Sequence, residues 1–335
     1  MPLYGAGRRA SSSVALPRNL YSFCRLLSSS QATAMSSRLL INKGQPMPMH
    51  WVLDWDGSIT KKDTLDALVK ISAAEHPTSP IADHWQCVSQ AYMADYTATL
   101  NQLVPDGALP TTIDEEKHLL SKLRDVEQRS LDRVYSSGIF TGLTKQGIDI
   151  GAKQAIQTGQ VQLRNGFSSL FEHIESQKSN TFAILSVNWS RHFIHSCLEA
   201  SGIIVASNAI VSNELDGIPA GEPSSGRIIP AFAGDKHPLI SSGDKLLKFG
   251  QMQQEDTAKV YIGDSWTDIE CLLAADLGVC VRDDPMSSSQ KTLAKALDRL
   301  RVSCLRLKDW RQDSNPAVVW VKDFTELLQW VETRS

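Results

Sequence analysis

The stretch WVLDWDGSIT (residues 51–60) runs three apolar residues straight into Asp54, with Asp56 one tryptophan later. Two more carboxylates, Asp264 and Asp268, follow a similar run in KVYIGDSWTD (259–268), and a hydroxyl, Ser186, follows a third in TFAILSVNWS (181–190). Taken alone, Asp56-Gly57 is a common turn dipeptide, so two acids in a turn is one reading of the first stretch. The other is chemical. A phosphate monoester is an anion and repels a carboxylate nucleophile until a divalent cation neutralises both. Magnesium suits that task because it favours oxygen ligands, typically one or two carboxylates with water and phosphate.

Which reading holds depends on the elements that carry these residues. HWVLDWDG (50–57), TFAILSVNWS and KVYIGDSWTD each join a continuous apolar run to a polar residue and a turn. Uninterrupted Val/Ile/Leu-rich runs suit strands buried on both faces of a parallel sheet. Helical spacing follows the second run, at Phe193, Ile194, Cys197 and Leu198, and the third, at Ile269, Leu272 and Leu273. Strand, loop and helix in alternation predict a doubly wound α/β sheet, whose ligands bind beyond the carboxyl ends of the strands. Asp54, Ser186 and Asp264 all fall there. LGVCVRDD (277–284) and AVVWV (317–321) read as further core strands, and Asp323 with Glu326 as the start of a last helix. GIIVASNAIVSNELDGIPAGEPSSGRIIPA (202–231) reads as a strand followed by a β-excursion, with turns at Asp216-Gly217 and Ser225-Gly226. The surroundings of Asp256–Lys259 and Ser287–Ser289 read as surface loops.

Between about 66 and 159 the pattern changes. Trp85, Val88, Tyr92, Tyr96 and Leu100 form an amphipathic stripe, and Leu119, Leu120, Leu123 and Val126 recur at helical spacing. The division expected is a leader at 1–45, a catalytic core at 46–65 and 160–335, and an α-helical cap inserted at 66–159.

Composition narrows the partners. The chain has 335 residues, 42% hydrophobic and 21% charged, enough for one large or two ordinary domains with a core. Residues 1–50 hold six Lys or Arg and no Asp or Glu. The remainder therefore carries 28 basic against 37 acidic residues, a net of −9. That disfavours a nucleic-acid or anionic-membrane partner, no run is long enough to span a membrane, and no obligate protein partner is evident. The leader is basic, Ser-rich and acid-free, with Arg25-Leu26-Leu27-Ser28 similar to a matrix-protease site, so a mitochondrial location is expected. Met35, Met47 or Met49 as a later start gives a cytosolic form. The six cysteines contain no C-x-x-C pair and read as reduced thiols without zinc.

DWDGSIT (54–60), Ser186 in ILSVN, Lys245 in SGDKLLKF and GDSWTD (263–268) resemble, in order and position, the four motifs of haloacid-dehalogenase-type phosphatases. The helical segment between the first two resembles that family's cap, as in phosphoserine-phosphatase-like members. SGIFTGLTKQGIDIGAKQ (137–154), ILSVNWSRHFIHSCL (184–198) and VYIGDSWTDIECLLAADLGVCV (260–281) are similar to the phosphatase domains of plant bifunctional thiamin-pathway enzymes, which act on thiamin monophosphate. The aminopyrimidine-salvage domain of those enzymes has no counterpart here. Ser58 stands where the phosphatases usually carry threonine, which keeps the hydroxyl.

The resemblance implies a Rossmann-like core acting on a small phosphorylated metabolite with Mg2+. Asp54 is expected to attack phosphorus and form an aspartyl-phosphate. Asp56, offset by two residues, is expected to protonate the leaving oxygen and then to activate water. Dehalogenation needs no such acid, so Asp56 argues for phosphoryl chemistry. Ser186, Lys245, Gly57 and Ser58 are expected to bind the phosphate, and Asp54, the Asp56 carbonyl and Asp264 to ligate the metal. Lys236 in GDKHP is the rival to Lys245, which is preferred because it opens a helical pattern. Asp268 is expected to orient Lys245 or a metal-bound water. Asn188, Trp189, Tyr92 and Tyr96 are candidates for the substrate pocket, although the Trp85/Tyr92/Tyr96 stripe also reads as cap core. His192 and His195 read as helix-face residues, and His50 has no assigned role. The alternatives left open are a phosphatase for phosphoserine, a nucleotide, or a pyrimidine or pyridoxal phosphate, a phosphotransferase, and a non-catalytic phosphate-binding protein on the same fold.

Overall fold

A computed structural model describes residues 48–230, 232, 234–252, 257–310 and 318–333. The leader expected at 1–45 lies outside them, as do Asp256 and Ala317. Nine strands are described: β1 Met49–Leu53, β2 Thr181–Leu185, β3 Ile210–Val211, β4 Asn213–Leu215, β5 Ile228–Pro230, β6 Ala258–Gly263, β7 Leu277–Val281, β8 Cys304–Arg306 and β9 Val318–Val321. Seven form one sheet in the order β3-β2-β1-β6-β7-β9-β8, every neighbouring pair parallel. This is the doubly wound parallel sheet that the apolar runs predict. Alternate residues supply opposite faces. Trp51 and Leu53 enter one hydrophobic cluster and Val52 the other, and Val260 and Ile262 part from Tyr261 in the same way. Both faces are therefore covered. One carries α5 (Phe167–Ser176), α6 (Arg191–Ala200) and α10 (Phe324–Glu332), and the other α7 (Ser242–Gln251), α8 (Ile269–Ala274) and α9 (Ser288–Arg299). Each large side chain so buried contributes about 1.5–3 kcal/mol.

The strand expected from Gly202 is absent at its start. Gly202, at φ 78°, ends α6, and the Ile203 amide turns back to the Leu198 carbonyl. Ile203 and Val205 seal the helix end, Ile204 is left 86% exposed, and the strand begins at Ile210. The turns at Asp216-Gly217 and Ser225-Gly226 do join β4 and β5, an antiparallel pair. Ser287–Ser289 is not a surface loop. The Ser287 hydroxyl accepts the Gln290 amide and caps α9. Lys259 likewise belongs to β6, and β8 is a strand too short for its pattern to show.

Between β1 and β2, four helices precede α5: α1 (Leu65–Glu75), α2 (Ile81–Leu103), α3 (Ile113–Ser137) and α4 (Lys145–Gln157). Thr112 caps α3 and Gly138, at φ 70°, ends it. The long pair α2 and α3 pack along each other, while α4 packs on α1 and on α6. None of the described helices is long and apolar enough to cross a membrane.

Candidate active site

Asp54 is the first residue beyond β1, and its amide donates to the Ile262 carbonyl of β6 at 2.9 Å. Leu53 pairs with Ile262, so Asp54 and Asp264 leave adjacent strands side by side. Between Trp55 and Ile59 the chain makes a tight turn in which Gly57 takes φ 78°. A Cβ at Gly57 would lie 2.5 Å from an Asp264 carboxylate oxygen, so the position needs both the left-handed backbone and the bare Cα. Arg164 holds this turn from behind. Its Nη2 donates to the Gly57 carbonyl at 2.7 Å, its Nε to the Ser58 carbonyl at 3.1 Å, and Nη1 pairs with Asp283 at 2.5 Å.

Lys245, on the first turn of α7, is fully buried with its ammonium between Asp54 (2.6 Å) and Asp268 (2.7 Å). Asp268 also accepts the Tyr261 hydroxyl at 2.8 Å and the Ser265 amide and hydroxyl. Burial alone would lower the Lys245 pKa, but the Asp268 and Asp54 carboxylates hold it above its ordinary value. Asp268 responds in reverse: burial opposes its charge, and Lys245 keeps its pKa low. Burial raises the Asp54 carboxyl against the pull of Lys245. Among the described residues the Asp264 carboxylate receives only hydroxyls, from Ser58 (3.1 Å) and Ser289 (3.2 Å), and burial with the nearby Asp268 and Asp54 charges pushes it well up.

Asp56 faces away from this group. Its Oδ1 accepts the Thr64 amide (2.8 Å) and hydroxyl (2.6 Å), and its Oδ2 accepts Asn188 Nδ2 at 2.8 Å. Burial, then the Asp63 charge, raises its pKa. Asp54, Asp56, Gly57, Lys245 and Asp264 form the floor of a cavity of about 620 Å³, walled by Trp85, Tyr92, Glu127 and Trp189.

The structure thus brings Asp54, Asp56, Gly57, Lys245, Asp264, Asn188, Trp189 and Tyr92 onto one cavity. Besides Asp268, buried behind Lys245, three candidates stand back from it. The Ser58 hydroxyl is directed to Asp264, and the buried Ser186 hydroxyl accepts the Asn188 amide. Tyr96 packs beside Tyr92, ring centroids 6.0 Å apart, against the second hydrophobic cluster. Lys236 lines a different cavity. Trp189 fills the angle between Trp85 (5.8 Å) and Phe140 (5.9 Å), both edge-to-face. His192 pairs with Asp149 on the face of α6. Sequence reasoning missed Arg164, Thr64, Ser289 and Glu127. The capping pattern S-x-x-Q at 287–290 was the available signal for Ser289, and nothing local marks Arg164.

A CTO1 family protein of Schizosaccharomyces pombe is 30% identical over 245 residues, 70% of this chain and 82% of that protein. The chain belongs to the CTO1 family. This family member is also 25% identical over 211 residues, 61% of the chain, to the Bifunctional TH2 protein, mitochondrial, of Arabidopsis thaliana, and it spans about a third (32%) of that protein's length. Among solved structures, a phosphoserine phosphatase described as a phospho-aspartyl intermediate analogue aligns with a TM-score of 0.46 and 13% identity, over 85% of this chain and 99% of that one. No protein-family model matches. The parallel sheet of this CTO1 family member sets its four motif segments at strand and helix ends around one cavity, the arrangement that the sequence resemblance implies.

Proposed function

We propose that this chain is a magnesium-dependent phosphatase that cleaves a small phosphate monoester through an aspartyl-phosphate, with thiamin monophosphate as its substrate. One observation carries the reading. Asp54 sits on the cavity floor, tethered by a buried lysine and beside a second strand-end carboxylate, while Asp56 is anchored on the opposite side of the turn.

The residues fit a hard divalent cation. Carboxylate oxygens of Asp54, Asp264 and Asp268 lie within 4.8 Å of one another, and Asp264 is a buried acid with no cation paired to it among the described residues. Both Asp268 oxygens are taken up, one by Lys245 and Tyr261 and the other by Ser265, so Asp54, Asp264 and the Asp56 carbonyl are the assigned ligands. Mg2+ bound there neutralises the meeting of carboxylate and phosphate.

The chain's own residues do the rest. Asp54 Oδ attacks phosphorus in line, the P–O bond to the ester oxygen breaks, and Asp56 delivers its proton to that oxygen. Its raised pKa suits it to hold that proton. Asp56 then takes a proton from water, which attacks phosphorus and regenerates Asp54. Lys245 stabilises charge on the transferring phosphoryl group. Ser186 Oγ, behind Asn188, and the turn amides around Gly57 and Ser58 are assigned to the phosphate oxygens. Tyr92 and Trp189 offer aromatic faces to the leaving group. Thiamin monophosphate is supported by the similarity to the plant bifunctional protein.

Purified protein from about residue 46 should release phosphate from thiamin monophosphate with magnesium and not with EDTA. A panel with phosphoserine, nucleotides and pyridoxal phosphate tests the substrate, and preference for any of these overturns thiamin monophosphate alone. No magnesium-dependent release from any ester overturns the enzyme reading in favour of a binding protein. We assign the protein to mitochondria through residues 1–45, supported by their composition. Diffuse cytosolic signal from a fusion of that segment to a fluorescent protein overturns this.

A further inference from the structure

The cavity wall differs from its floor in how its charge is met. Glu127, on α3, is half-buried and among the described residues accepts only the Tyr92 hydroxyl, at 2.8 Å. Burial raises its pKa, and no cation among the described residues acts on it. Asp63, exposed just before α1, accepts the Leu65 amide, and no cation among the described residues acts on it. Asp63 is close enough to raise both Asp56 and Tyr92, so an acidic strip runs from Asp56, at the leaving oxygen, through Asp63 to Glu127. Trp85, Tyr92 and Trp189 stand along that strip. Among the described residues Lys245 is the only cation on the lining, and two carboxylates already hold it.

A half-buried carboxylate without a counter-charge is costly to the free protein. A cation arriving there recovers that cost, and aromatic faces attract the same ligand. A second anion is repelled.

Resting on the phosphatase reading above, we propose that the wall selects phosphate monoesters whose leaving group carries a positive charge, with Glu127, oriented by Tyr92, as the seat for that charge and Asp63 as its second anion. Esters with anionic leaving groups, such as nucleotides carrying further phosphates, are excluded by the same groups.

The test uses two esters of one shape, phosphocholine and 3,3-dimethylbutyl phosphate, which differ by a quaternary nitrogen in place of a carbon. The wild-type chain should favour phosphocholine by at least tenfold in kcat/KM. Glu127→Gln should bring the ratio toward one, and Glu127→Asp should keep part of it. A ratio within one chain cancels losses of folding or of the chemical step. Asp63→Asn supplies a second variant with the same readout. If neither ester turns over, their inhibition of p-nitrophenyl phosphate hydrolysis gives the same ratio. A wild-type ratio of one or below, with p-nitrophenyl phosphate turned over, overturns the charge selection and leaves the phosphatase reading standing. No release from p-nitrophenyl phosphate either overturns both.

Discussion

His50 and Asp54 lie at opposite ends of β1, both buried, and the protein treats their charge in opposite ways. At the amino end, burial and then the Lys259 charge drive the His50 pKa down to about 4, so the ring stays neutral; its Nδ1 meets Thr181 Oγ1 at 2.6 Å and Nε2 has no hydrogen-bond partner among the described residues. At the carboxyl end an ammonium is buried between two carboxylates, and a third carboxylate stands beside them. Removing a charge is the cheaper solution for stability, because a buried pair rarely recovers its full desolvation cost. The arrangement around Lys245 is therefore better explained by chemistry than by folding. The expected costs of mutation differ accordingly.

The largest effect should come from Asp54, the proposed nucleophile. Asp54→Asn should lower kcat by about 10³-fold or more, while the carboxamide still accepts from Lys245 and the fold persists. Phosphate release measured beside urea unfolding checks both. Unchanged turnover would remove Asp54 as nucleophile and make the carboxyl end no more chemical than the amino end.

Lys245→Met should be the largest stability change. It leaves Asp54 and Asp268 buried without their cation, a loss of about 3–5 kcal/mol. Urea unfolding in EDTA measures it, and saturating magnesium should restore part of the loss because binding to the native state alone is stabilising. A loss under about 1 kcal/mol would show that the triad is not strongly coupled.

Gly57→Ala sharpens the geometry. The left-handed backbone costs a non-glycine residue about 1–2 kcal/mol, and the added Cβ would press on Asp264 at 2.5 Å. Activity should fall about ten- to a hundredfold with a weaker dependence on magnesium, read as a raised metal concentration for half-maximal rate.

Asp54 and Asp264 were legible because each follows an apolar run, where local pattern determines both the strand and the turn after it, and Lys245 because it opens a helical pattern. Arg164 was not. It reaches Gly57 and Ser58 from more than 100 positions away, and no local pattern encodes that approach. The stripe from Trp85 predicted α2 well, but Tyr92 and Tyr96 are four apart and share one face. That only Tyr92 meets the cavity depends on where α3 lies against α2, a matter of packing. The strand misplaced at Gly202 has the same origin: an apolar run sealing a helix end looks like a strand until the helix is in place.

The smallest effect belongs to His50, and it appears only in acid. The folded pKa is about 4, and the unfolded ring titrates near 6.5. Between those values the unfolded chain holds a proton that the folded chain lacks. Unfolding takes up that proton, so this contribution is complete at neutral pH and is lost as pH falls from about 6.5 toward 4. His50→Gln, which keeps a polar group for Thr181 and cannot titrate, should flatten this limb. The stability difference between pH 7 and pH 5 should shrink by about 1–2 kcal/mol in the variant. Urea unfolding at the two pH values gives the number, with carboxylate titrations common to both proteins cancelling. An unchanged difference would mean that His50 charges freely in the fold, and that the two ends of β1 do not differ in how they bear buried charge.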